Sequence, residues 1–225
     1  MSDKPKIIIS GYGRMGHMVE AALHRQGIEP VLATEDVCAV PADVASECIC
    51  IDFTTPEAFR ANYPTLALKF KAVVVGTTGW YDIKDDVFAA FAAKGTTLVW
   101  ASNFSIGVNA LFAAVERAGK VLAGHGYTPS IHEVHHVHKL DAPSGTAIAL
   151  GGIVENSLGL KPEITSERIG EVPGTHVATF LSGADRLELR HEAFSREGFA
   201  EGAVAAALMI DGGVSGIHEF KDLIL

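Results

Sequence analysis

Residues 133–146 read Glu-Val-His-His-Val-His-Lys-Leu-Asp-Ala-Pro-Ser-Gly-Thr, a stretch that can both move a proton and hold an anion. Histidine, with an ordinary pKa of about 6.5, is the natural proton donor near neutrality, and His135 and His136 stand four and three residues before a lysine. Lys139 supplies a point positive charge. Pro143 ends a loop, and Ser144-Gly145-Thr146 opens a helix whose free N–H groups and two hydroxyls suit a carboxylate. Strand alternation up to His136 puts His135 and His136 on opposite faces, unless a bulge re-aims one of them. A metal site is the competing reading, because His132, His136 and His138 share strand parity. No nearby cysteine or obvious carboxylate completes a shell, so no metal is expected. His132 and His138 are assigned supporting or surface positions. His17, His24, His125, His176, His191 and His218 stand in unremarkable contexts and receive no role.

A second constellation lies near the start. Gly11-Tyr12-Gly13-Arg14-Met15-Gly16 is a GxGxxG placed between an apolar run and a helical pattern. Glycines there allow a tight turn, close approach of backbone to a pyrophosphate, and packing of helix on strand. The helix N-terminus supplies free N–H groups and partial positive charge. Glu35 stands about 20 residues further on, where an acid typically accepts hydrogen bonds from an adenosine ribose. Asp36 is the alternative for that contact.

The elements that must position these residues follow from periodicity. Strands are predicted at Lys6–Ser10, Pro30–Thr34, Cys48–Phe53, Ala72–Gly76 and Thr97–Ala101. Helices are predicted at Met15–Gln26, at Pro56–Lys69 with an interruption at Pro64, and at Asp82–Lys94. Alternating β and α with near-continuous apolar strands predicts an α/β, Rossmann-type doubly wound parallel sheet. Beyond Asn103 the rhythm changes. A helix (Ile106–Leu122), a strand (Ser130–His136) and a helix (Ser144–Leu158) precede β-like alternation over Ile164–Phe194. This predicts a second α+β domain on a mainly antiparallel sheet. A last helix (Gly198–Ile210) and the strand-like end are expected to return to the first domain. The domains are thus 1–103 plus about 197–225, for the dinucleotide, and 104–196, for substrate and oligomerisation.

The bulk properties narrow the field. The 225 residues are 48% apolar, enough to bury a real core. A net charge of −9 argues against nucleic acid or an anionic membrane as partner. No run approaches the roughly 18 to 20 apolar residues of a membrane span. The polar start, Met1–Lys6, lacks an apolar signal core, so a cytoplasmic protein is expected. Cys38, Cys48 and Cys50 have neither disulfide-framework nor zinc spacing, and the last two read as small strand residues.

Residues 133–147 resemble the signature E-x-H-H-x-x-K-x-D-A-P-S-G-T of the dihydrodipicolinate reductase family. Agreement extends along the chain through Gly13-Arg-Met-Gly16, Asp52-Phe-Thr-Thr-Pro56, Gly76-Thr-Thr-Gly79, Asn103-Phe-Ser-Ile-Gly-Val-Asn109, His191-Glu-Ala-Phe-Ser-Arg196 and Phe199-Ala-Glu-Gly-Ala-Val204. The resemblance implies reduction of 4-hydroxy-tetrahydrodipicolinate by NAD(P)H in lysine and diaminopimelate synthesis. It makes His135 the proton donor and Lys139 a second catalytic residue. His136, Lys139, Ser144, Gly145 and Thr146 would hold the two carboxylates of a small dicarboxylate substrate. Gly76, Thr77, Thr78, Ala101, Ser102, Asn103 and Phe104 would line the nicotinamide side, with Phe53 along the cleft. The family is usually a homotetramer joined through its second-domain sheets. Departures are a phosphate loop one residue shorter than in many members, a short stretch between Glu35 and Cys48, and trimming around Ile169–Thr179. None touches the His–Lys segment.

Two other readings compete. Another amino-acid-pathway dehydrogenase leaves the His–Lys segment unexplained, and a nucleotide-sensing module leaves a proton donor beside an anion site idle. For the cofactor, family members that accept both forms commonly follow the ribose-binding acid with a basic residue. Here Glu35 is followed by Asp36, and no Lys or Arg occurs between Gln26 and Arg60. Two carboxylates repel a ribose phosphate, so NADH is expected to be preferred over NADPH, with Arg14 the one cation able to soften this.

Overall fold

The computed structural model describes residues 4–225; Met1–Asp3 of the polar start lie outside the described residues. The chain divides into two compact units, one taking in the chain up to Ser105 together with Glu197–Leu225, the other Ile106–Arg196.

In the first unit, Ile7–Ser10 (β1), Leu32–Thr34 (β2), Ile49–Asp52 (β3), Ala72–Val75 (β4), Thr97–Trp100 (β5) and Ile217–Glu219 (β10) form one parallel sheet in the order β10-β5-β4-β3-β1-β2. Runs such as Ile7-Ile8-Ile9 and Val73-Val74-Val75 are buried on both faces, and the pleat divides them. Ile7, Ile9, Ile49, Ile51 and Val74 face Arg14–Arg25 (α1) and Glu197–Asp211 (α7). Ile8, Cys50, Val73, Val75 and Leu98 face Pro56–Lys69 (α3) and Lys84–Lys94 (α4). Each fully buried Val, Ile or Phe contributes roughly 1.5–3 kcal/mol, which is what commits these segments to a two-sided sheet. The chain order reverses between β1 and β3, and a crevice at the carboxyl ends of the strands belongs at such a switch point.

Several boundaries depart from the expectations. The helix α3 runs unbroken through Pro64, which sits exposed inside it while Phe59, Leu66 and Ala67 bury the opposite side. That burial outweighs one missing hydrogen bond. A 3-10 turn (Tyr81–Ile83) precedes α4, and the second strand begins at Leu32 rather than Pro30, although Val31 N–H still donates to the Ile7 carbonyl at 2.8 Å. The short stretch after Glu35 makes only a 3-10 turn (Val37–Ala39) and one helical turn (α2, Ala42–Ala45). After β10 the chain closes with a short helix, Phe220–Ile224 (α8).

The second unit contains Ile106–Leu122 (α5), Thr128–His135 (β6), Gly145–Leu158 (α6), Glu163–Arg168 (β7), Gly174–Leu181 (β8) and Arg186–Ala193 (β9). Its sheet has the order β7-β6-β8-β9. The β6–β8 and β8–β9 pairs are antiparallel and the β6–β7 pair is parallel, so the sheet is mixed. The parallel pair exists because α6 crosses over between β6 and β7. Ile131, Ala178 and Phe180 pack against Leu111, Val115, Leu150 and Val154 of α5 and α6.

Candidate active site

On β6 the odd-numbered side chains Ile131, Glu133 and His135 face inward, and the strand ends at His135. His136 therefore lies beyond the strand, where parity with His132 has no meaning; it is half-buried, with Arg196 Nη2 3.3 Å from its Nε2. Register then assembles a row across the inner face. Glu133 pairs with Ser166 on β7 and with His176 on β8, and His176 pairs with His191 on β9. His135 pairs with Arg168.

Glu133 is fully buried and is the hub of this row. Its Oε1 accepts the Ser144 N–H at 3.0 Å and the Arg168 guanidinium at 3.1 Å. Its Oε2 lies 2.8 Å from His135 Nδ1, out of line for a hydrogen bond, and 3.9 Å from His176 Nε2. Burial alone would push this carboxyl up. Hydrogen bonds from Ser144, Ser166 and Arg168 outweigh it and hold the pKa at about 2, so the group stays ionised. Burial pulls the His135 imidazole below its ordinary value; Glu133 opposes this, while Lys139, Arg168 and His136 add to it. Burial takes His176 down to about 4, with His135 adding to the shift. The two rings meet edge to face, 5.0 Å between centroids. His176, given no role from the sequence, thus stands beside the candidate proton donor, with His191 next to His176 across the sheet.

Lys139 Nζ pairs with Asp141 at 2.9 Å in the loop after β6. Arg168 ties that loop down through the carbonyls of Lys139 and Asp141. Ser144 caps α6, its hydroxyl accepting the Ala147 N–H at 3.2 Å and lying 3.3 Å from His176 Nε2. Ser144 is buried and spent on these contacts and on Glu133. Gly145 is exposed and Thr146 half-buried at the helix start. At the surface His132 meets Thr165 and Glu167, and His138 meets Glu171 and the His136 ring.

The expectation that no carboxylate stands near enough to complete a metal shell is overturned by Glu133. Ligand atoms of Glu133, His135 and His176 lie within 4.8 Å of one another. The other oxygen of Glu133, however, is occupied by the Arg168 guanidinium and the Ser144 N–H.

In the first unit the glycine-rich residues open α1 after β1. Gly11 has φ +85°, and a Cβ there would sit 2.4 Å from the Phe53 carbonyl; at Gly16 it would sit 2.2 Å from the Gly11 carbonyl. No side chain caps α1 at Gly13 and no acid stands in its first turn, where Arg14 and Met15 begin the helix. This cradle suits a pyrophosphate. Glu35 is folded onto it, accepting the Tyr12 N–H at 2.6 Å. Asp36 is committed elsewhere, capping the 3-10 turn through Cys38 N–H at 3.1 Å and Ala39 N–H at 3.3 Å. Gly76 carries the Phe53 ring against its backbone, and Thr78 is exposed. Thr77 is buried, donating to Asp52 at 2.6 Å and accepting from Thr54 N–H at 2.7 Å. The buried Asp52 also accepts from Ser10 at 2.7 Å. Its carboxyl is pushed up by burial, against these hydroxyls. Three loops at the strand ends are thereby tied together. Ala101 is buried, Ser102 exposed, and Asn103 accepts the Ser105 N–H at 2.8 Å. Phe104 belongs to the core, edge-on to Phe53 and near Phe220.

The described residues contain no helix long and apolar enough to cross a membrane. Residues 5–104 match the family described as dihydrodipicolinate reductase, N-terminus, and residues 107–224 match its C-terminus. The chain is 41% identical over 197 residues to 4-hydroxy-tetrahydrodipicolinate reductase of Xylella fastidiosa (strain M12), covering 87% of this chain and 79% of that protein. It is 35% identical to the protein of the same name from Christiangramia forsetii, with 97% of each chain covered. Among solved structures, dipicolinate-bound dihydrodipicolinate reductase from Paenisporosarcina sp. TG-14 superposes with a TM-score of 0.79 over 99% of this chain and all of that one, at 18% identity, which speaks to the fold. Aspartate dehydrogenase from Thermotoga maritima shares the fold at a TM-score of 0.51 over 92% of this chain and 97% of that one, at 13% identity. With both parts of the family matched in order along the chain and relatives near 40% identity, this protein belongs to the dihydrodipicolinate reductase family and is an oxidoreductase.

Proposed function

We propose that the chain reduces 4-hydroxy-tetrahydrodipicolinate to tetrahydrodipicolinate for lysine and diaminopimelate synthesis, with His135 as proton donor. The observation that carries this reading is a buried histidine joined through Glu133 to the start of α6, with Lys139 in the intervening loop. The substrate is a dianion. Lys139 exchanges Asp141 for one carboxylate, and Gly145 and Thr146 receive a carboxylate at the helix start, with His136 beside them. Ser144 shapes that helix start from beneath. His135 holds a proton at Nε2 and passes it to the ring carbon next to the one that is reduced.

The uncapped glycine cradle fits a dinucleotide pyrophosphate, held by Gly11, Tyr12, Gly13, Arg14, Met15 and Gly16. When bound, the reduced dinucleotide supplies the hydride. Gly76, Thr77, Thr78, Ala101, Ser102, Asn103 and Phe104 form the nicotinamide side, where Thr77 acts through Asp52 by setting the loops. Glu35 meets the ribose, and with Asp36 beside it NADH is the preferred form over NADPH. The enzyme works as a cytoplasmic homotetramer. The test is loss of NADH absorbance with substrate generated in situ from pyruvate and aspartate semialdehyde by a synthase. Absence of turnover there, with NADH bound, overturns the reading.

A further inference from the structure

Glu133 moves no proton itself, yet His135, the Ser144 N–H, Arg168 and His176 all meet it. It is a fully buried carboxylate beside a histidine whose Nδ1 is also buried and lacks an aligned partner. The two atoms are 2.8 Å apart, and free-enzyme geometry of this kind commonly tightens once the reacting complex forms. The other edge of the imidazole, Nε2, abuts Gly174, where an added Cβ would stand 3.0 Å from it, so only glycine leaves room there for a reacting group.

We propose that Glu133 is a positioning residue for the reaction: its carboxylate holds His135 with Nδ1–H inward, so that Nε2 carries the transferable proton, and anchors the Ser144 N–H that opens the substrate-binding helix. The inference rests on the reading of His135 as proton donor. One carboxylate uses its two oxygens for the two halves of the task. Oε2 orients the donor, as a carboxylate orients the histidine of a hydrolase triad. Oε1, with Arg168, fixes α6 and the loop of Lys139 to β6. The charges facing His135 sort accordingly. Glu133 favours the imidazolium, whereas Lys139, Arg168 and His136 oppose it; the His176 ring packs edge to face against it. Arrival of a dianion offsets Lys139 and leaves the Glu133 charge to hold the proton on the ring.

The test is Glu133→Gln, which keeps an acceptor for Ser144 and removes the charge. We expect kcat to fall about 10²-fold, within the range for impaired general acid catalysis, with NADH affinity by fluorescence titration unchanged. Activity that needs protonated His135 is lost as pH rises through its pKa. Removing Glu133 lowers that pKa, so the descending limb of the kcat profile should move to lower pH by about one unit or more. A smaller kcat with the limb unmoved would mark Glu133 as scaffolding alone and overturn the proposal, as would unchanged kcat. Glu133→Asp should restore part of both effects. If the Gln variant does not fold, nitrogen NMR of histidine-labelled wild type decides, with His135 assigned from the His135→Gln spectrum. The neutral ring should be the Nδ1–H tautomer, with and without pyridine-2,6-dicarboxylate; the Nε2–H tautomer overturns the proposal. Wild-type turnover in the same series tests the reaction itself. Its absence would sink that reading, and the tautomer would still decide the Glu133 assignment.

Discussion

His135 is buried at the end of an inner-face strand, and its environment sets the sign of its pH dependence. Burial lowers its pKa in the free protein, so the protonated form is lost as pH rises through a value lowered from the ordinary one. We therefore expect kcat/KM, which reports the free enzyme, to decline from a lower pH than kcat, because the bound dianion favours the imidazolium. Coincident limbs in the two profiles would count against a donor shaped by this cluster. Replacing His135 by Gln should lower kcat by about 10² to 10⁴ with a much smaller change in KM. Steady-state rates within a few-fold of wild type would remove His135 from the role. Lys139→Ala should cost both kcat and substrate affinity, since it removes a cation from a dianion's site and leaves Asp141 there unpaired. Loss of NADH affinity with substrate affinity intact would show that Lys139 serves the cofactor.

The proposed function assigns the binding chemistry to two helix starts, and they are built differently. The start of α6 is capped by Ser144 and braced by Glu133, so its backbone is held before any ligand arrives. Thr146→Val there should raise KM more than it lowers kcat, because it removes a binding hydroxyl and leaves the donor untouched. An equal loss in kcat and kcat/KM would place Thr146 in the transition state instead. The start of α1 is uncapped and glycine-lined, left open for phosphates. Beside it Asp36 holds the 3-10 turn, so Asp36→Arg acts in two ways. It should narrow an NADH preference of about tenfold or more in kcat/KM by removing repulsion. It should also lower thermal stability by about 0.5–2 kcal/mol through the lost cap. Equal efficiency of both cofactors in the unmodified protein would show that Arg14 dominates the pocket.

For the whole molecule, the substrate unit's sheet has one face under α5 and α6 and another bearing half-exposed Val134 and Val177 among His132, Thr179 and Glu188. Half-exposed valines on an open sheet are covered when two sheets pair, and with the family resemblance this predicts four copies joined through these sheets. Light scattering at micromolar concentration should return four times the 23.8 kDa chain mass; a monomer mass would refute the assembly.

Local signals carried the parallel sheet, the glycine turn and the helix start at Ser144, because each depends on neighbours in sequence. Continuous Ile and Val runs demand burial on both faces, and a glycine loop between strand and helix has few other uses. Even the alliance of Glu133 with His135 was within reach, since residues two apart on a strand share a face. Pro64 misled because local propensity yields to burial of Phe59 and Leu66. What only tertiary structure decided was the cross-strand company. His176, Arg168 and His191 join Glu133 and His135 through the register of β7, β8 and β9, which packing against α5 and α6 sets over dozens of residues. The commitment of Asp36 to its own turn and of Thr77 to Asp52 is equally invisible to periodicity. Spacing tells which side chains can do chemistry; register and burial decide which of them meet, and with what charge.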